Sequence, residues 1–95
     1  MDKKEAKIIA NRVIERYRRR SYDELVNMID NSEWIDERAE SGTEYQIQVQ
    51  VFWDDEDNGI IRCFAAIDNG GILSFMFPQI SEDFLMNSNN EFIGE

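Results

Sequence analysis

Residues 44–53, EYQIQVQVFW, decide the fold. Tyr45, Ile47, Val49, Val51 and Trp53 alternate with Gln46, Gln48 and Gln50. A period of two is that of a strand with one buried and one wet face. Downstream, residues 60–67 (IIRCFAAI) and 72–77 (ILSFMF) predict two further strands. The intervening DNGG at 68–71 predicts a tight hairpin turn, because Asn-Gly and Gly-Gly accept positive φ. Pro78 lacks a backbone donor and ends the last of these runs.

Upstream the period changes. Ala6, Ile9, Ala10, Val13, Ile14 and Tyr17 recur at three- and four-residue spacings, which predicts an amphipathic helix over 3–20. Arg18, Arg19 and Arg20 fall where the helix dipole favours cations. Ser21-Tyr22-Asp23-Glu24 reads as a capping box opening a second helix, with apolar positions Tyr22, Leu25, Val26, Met28 and Ile29 and an end at Asp30-Asn31-Ser32. A single helix kinked at Ser21 is the alternative. Residues 34–40 (WIDERAE) fit either a short polar strand or an irregular lead-in to a turn at Ser41-Gly42. The tail, with Phe84-Leu85 and Phe92-Ile93 around NSNN, fits a short helix or a last hairpin.

The expected fold class is therefore α+β: one long helix and a short second one on a three- or four-stranded antiparallel meander, in one domain over residues 1–95. If Trp53 pairs near Ile60, one face gathers Ile47, Val49, Val51, Phe64, Ala66, Leu73, Phe75 and Phe77 for the helix to cover. The other face then carries Gln46, Gln48, Gln50, Phe52, Ile61, Cys63, Ala65, Ile67, Ile72, Ser74 and Met76. A one-residue change in the intervening loop reverses this assignment for the first strand. So apolar a second face calls for cover by the tail, a second copy or a ligand.

Composition limits the chemistry. The chain has 95 residues, no histidine and one cysteine. Ser-His-Asp and Cys-His catalysis, histidine zinc sites and an intrachain disulfide are excluded, and no cofactor is expected. Cys63, in an apolar strand with no histidine to activate it, reads as an inert thiol. No apolar run approaches membrane-helix length and residues 1–10 lack a signal-peptide pattern, so a cytoplasmic protein without membrane attachment is expected. The net charge is −10, unevenly placed. Residues 1–20 hold eight Lys/Arg against three Asp/Glu, and residues 21–95 hold two against seventeen. This acidic body disfavours nucleic acid and favours a basic protein partner, while the basic helix is expected to lie against the acidic body of its own fold.

Residues 53–59, WDDEDNG, pose the sharpest chemical question. With Gly59 at position six of an EF-hand loop, Asp54, Glu56 and Asn58 take positions one, three and five, but Ala65 stands where the bidentate glutamate is needed. Asp54, Asp55, Glu56 and Asp57 are thus weak metal candidates, and a solvated six-residue turn through Asn58-Gly59 is the simpler expectation. No catalytic set is expected. The predicted function is a non-enzymatic interaction module that binds a protein partner, or a second copy as a homodimer. Its contact residues would be Gln46, Gln48, Gln50, Phe52, Asp54, Asp55, Glu56 and Asp57. The alternative is a small-ligand or divalent-cation-binding domain with a pocket between helix and sheet.

The stretch from Ser41-Gly42 through Tyr45 and Trp53 to Asp68, Gly70 and Gly71, with Phe92, Gly94 and Glu95 at the end, resembles small, functionally uncharacterised bacterial proteins of about this length. The resemblance implies no activity and no site residues. The order of one helix followed by strands is similar to cystatin-like and NTF2-like arrangements, an analogy of fold alone.

Overall fold

The computed structural model describes residues 2–68 and 80–95. Helices α1 (Lys3–Arg18) and α2 (Tyr22–Val26) precede strands β1 (Glu33–Arg38), β2 (Glu44–Asp55), β3 (Ile60–Asp68), β4 (Ser81–Met86) and β5 (Phe92–Ile93). The strands form one antiparallel meander in sequence order, and α1 packs on one face of it. The class is α+β, with five strands among the described residues where three or four were expected. The expected turn at 68–71 and strand at 72–77 fall almost wholly on residues 69–79, outside the described residues, as do Leu73, Phe75, Phe77, Ile72, Ser74 and Met76 of the expected faces.

Local signals place the helices. The Asp2 carboxylate accepts from the Glu5 amide at 3.0 Å and caps α1. The whole predicted stripe, Ala6 to Tyr17, is buried. Ser21 adopts an extended backbone and makes both bonds of the capping box with Glu24, so two helices form and the kinked alternative does not. The second helix stops at Val26, and Ile29 instead bridges to Val51 of β2.

The two ambiguous segments both resolve as strands. Residues 33–38 become β1, with Glu33, Ile35 and Glu37 half-buried and Trp34, Asp36 and Arg38 exposed. Gly42, at φ 90°, turns the chain into β2. In the tail, the Asn87 side chain accepts from the amides of Asn89 and Glu91, and Asn90 takes a positive φ of 63°. That turn makes β4–β5 a hairpin.

The expected facing of β3 is corrected. Trp53 pairs with Ile61, one residue beyond Ile60, and Asp55 pairs with Ile60 across a register shift. Hence Val51 lies opposite Cys63, Val49 opposite Ala65 and Ile47 opposite Ile67. Ile61, Cys63, Ala65 and Ile67 are at most 2% exposed and meet the helix stripe. Phe64 and Ala66 turn to the other face, beside Gln48 and Gln50. The cause is local. Asp54 and Asp55 prolong β2 and do not join the loop. Asp55 accepts from both nitrogens of Asn58 and draws Glu56–Asn58 into one 3-10 turn closed by left-handed Gly59. The expected six-residue loop is therefore much shorter, and a one-residue shift exchanges the faces of β3.

This register makes adjacent substitutions unequal. Val51→Asp should cost about 3–5 kcal/mol or prevent folding, because it buries an unpaired carboxylate. Phe52→Asp, one residue on, should cost about 1 kcal/mol or less. Urea denaturation of the two variants would measure the difference.

Candidate functional site

The basic helix is the first candidate surface, and its charges are turned to its own sheet. Arg12 and Arg16 both reach Glu37 of β1, and Arg20 reaches Glu33 at 3.3 Å. On the opposite flank Lys7 meets Glu82 of β4 at 3.0 Å. Arg18 holds Glu95 at 2.6 Å, with its guanidinium 5.0 Å from the ring centres of Phe84 and Phe92. Cation–π contact and ion pairing together fasten the end of the chain to α1. Only Lys3, Lys4 and Arg19 of this segment lack an ion pair among the described residues, and they sit at opposite ends of the helix.

Behind Arg20 lies a small polar cluster. The Tyr17 hydroxyl donates to Glu33, and Arg20 lies 4.3 Å above the Tyr17 ring while also donating to Glu33. The Tyr17 bond lowers the Glu33 carboxyl below its usual range; partial burial opposes this, and Arg20 reinforces it. Burial first, and then the Glu33 carboxylate, raise Tyr17. Burial pushes the Cys63 thiol up to about 12, so it is protonated and unreactive at neutral pH. These groups are occupied with one another.

The sheet face away from α1 is different. Its cross-strand rows include Asp36–Gln46, Trp34–Gln48–Ala66–Ser81, Gln50–Phe64–Asp83, and Phe52–Arg62–Leu85–Ile93. Trp34 is 50% and Phe52 41% exposed, well beyond what burial would favour for such side chains. Arg62 sits among the apolar members, held by Asp54 at 3.0 Å and by Asp83. Burial lowers its pKa, but the bonds to Asp54 and Asp83 outweigh this, so the net shift is upward and the charge is permanent. Beside Phe52 the face dips into an open cleft of about 280 Å³ between Met28, Asp30–Ser32 and Gln50–Phe52.

Of the predicted contact residues, Gln46, Gln48, Gln50 and Phe52 share this face, and Asp54 joins them through Arg62. Asp55 is spent capping the 3-10 turn, and Glu56 and Asp57 lie exposed on it. Among the described residues no group of three His, Cys, Asp or Glu is placed to hold a metal ion. Sequence reasoning missed Trp34, Phe64, Arg62 and Leu85 as members of the face. Alternation in EWIDER carried the signal for Trp34; Phe64 was hidden by the register shift. No helix among the described residues is long and apolar enough to cross a membrane.

The geometry defines an α+β domain with one face of its meander packed by a helix and the other, mixed apolar and amide, open among the described residues. No family model, no curated protein and no solved structure matches the chain.

The Tyr17–Glu33–Arg20 cluster has a pH signature. The folded Glu33 carboxyl sits below the unfolded value of about 4.3. Its contribution to stability is therefore present above that pH and lost as the pH falls through the lower folded value. Glu33→Gln should flatten this acid-side loss relative to the parent, as measured by urea midpoints across the acid range.

Proposed function

We propose that this domain is a non-enzymatic interaction module, whose open sheet face binds another protein surface. The observation that carries the reading is the presence of exposed Trp34 and Phe52 on one face of the sheet, with Phe64, Ala66 and Leu85 partly exposed on the same face. Aromatic side chains on a preformed surface contribute large contact area at small entropic cost. The Gln46, Gln48 and Gln50 amides supply hydrogen bonding at the rim, and the acidic turn favours a partner of net positive charge. A second copy of the chain is the other occupant such a face accepts.

The space between α1 and the sheet is filled by packed side chains from Ile9 and Val13 to Val49 and Ala65. A ligand pocket there gains no support from the described residues. The absence of histidine and the inert Cys63 fit a binding role over a catalytic one.

The test is a Trp34→Ser/Phe52→Ser double variant, compared with the parent by light scattering across a wide concentration range and by quantitative capture of partners from cell extract. Self-association or capture should weaken by about tenfold or more while the thermal midpoint is preserved. A parent that stays monomeric and captures the same proteins as the variant would overturn the reading.

A further inference from the structure

The open edge of the sheet at β1 has a chemistry of its own. Ala39 donates to the Thr43 carbonyl at 2.9 Å, and pairs along an antiparallel ladder alternate between bonded and non-bonded. The bonded β1–β2 pairs are therefore Glu37–Tyr45, Ile35–Ile47 and Glu33–Val49. The amides and carbonyls of Trp34, Asp36 and Arg38 point away from β2. The same parity holds across the sheet, where Ile67 donates to the Ile80 carbonyl at 3.0 Å. Among the described residues no strand lies beyond β1. Its edge thus presents alternating donors and acceptors, a template for one more strand.

The side chains decide which strand. Antiparallel two-fold pairing of β1 with a second copy has two registers that join five residues of each strand, 33–37 or 34–38. The first sets Glu33 against Glu37 at both ends, although arginines of α1 partly neutralise these. The second sets Asp36 directly against its own copy. Like charges directly opposite destabilise a sheet pair. A basic strand meets the reverse situation. Asp36 is exposed and has no ion pair among the described residues. It lines an open cleft of about 500 Å³ with Glu37, which Arg12 and Arg16 already reach, and Glu44, which already holds Arg38 at 2.6 Å, so Asp36 is the carboxylate of the cleft without a cation among the described residues. Half-exposed Trp34 stands on the same face of β1 and offers a ring to a passing cation.

We propose that the outer edge of β1 receives an extended segment of another protein as a sixth strand, carrying Lys or Arg at alternate positions. This deepens the interaction reading above by naming the partner's chemistry and the mode of contact, and it rests on that reading. The Trp34, Asp36 and Arg38 backbone groups hold the segment, and the Asp36 carboxylate selects its charge.

The test uses the full chain, labelled with nitrogen-15, and a synthetic peptide of alternating lysine and valine, with the alternating glutamate–valine peptide as control. The lysine peptide should slow hydrogen exchange at the Trp34, Asp36 and Arg38 amides by about tenfold or more, and the glutamate peptide should not. Asp36→Lys should weaken the lysine peptide about tenfold and favour the glutamate peptide. Asp36→Pro should abolish protection by removing the outward donor, with unchanged exchange at Ile35 and Glu37 showing that β1 still pairs with β2. Peptide-induced shifts confined to Gln50 and Phe52, with β1 exchanging freely, would overturn this proposal and leave the interaction reading standing. Unaltered β1 exchange up to the peptide's solubility limit would overturn it too. So would protection of β1 that grows with protein concentration alone, since the occupant would then be a second copy.

Discussion

The packing of Ile9, Val13, Ile14 and Tyr17 against Ile47, Val49, Cys63 and Ala65 is the contact on which the rest of the structure depends. It removes one face of the sheet from water, and among the described residues no helix covers the other face. Both partners of the contact are needed. A lone helix of this length is marginal in water, and a meander without cover exposes its apolar side. Burial is non-directional, however, and would tolerate a helix turned or shifted along the sheet. The ion pairs on either flank supply direction: Glu33 and Glu37 of β1 on one side, Glu82 and Glu95 on the other. Each exposed pair is worth little in stability, but together they fix the azimuth of α1.

The same arrangement accounts for the electrostatics. The basic N-terminal segment spends most of its cations on the acidic body, so the charge asymmetry of the sequence does not become a basic patch. What faces the solvent is the remainder of the acid. Asp23, Asp30, Asp36, Glu40, Glu56 and Asp57 stand in no ion pair among the described residues. On the open face Arg62 is neutralised from both sides by Asp54 and Asp83, which leaves the apolar contacts of Phe52 and Leu85 without competition from a free cation.

Much of this was legible from local pattern. The α1 stripe, the capping box at Ser21 and the alternation of β2 each report a periodicity or a side-chain bond that operates within a few residues. Residues 33–38 were harder, because this edge strand carries charge on both faces, and Glu33 and Glu37 look solvated until Tyr17 and three arginines are brought to them. The tail was harder for a related reason. Phe92-Ile93 is too short to show a period, and its pairing with β4 is stabilised by Arg18 at the far end of α1.

The sequence by itself determined the class of the fold, the face of β2 that is buried, and the chemistry that has no residues to perform it. Periodicity and composition are local quantities and survive any arrangement of the parts. Only the tertiary structure decided which residues of β3 enter the core. Side chains alternate with a period of two, so the choice hangs on a single residue, and that residue was taken up where Asp55 capped a 3-10 turn and shifted the ladder. Cys63 went inward and Phe64 outward for that reason. The open face that makes this domain a candidate binder was assembled by strand pairing across a tight turn, which no one strand's pattern contains.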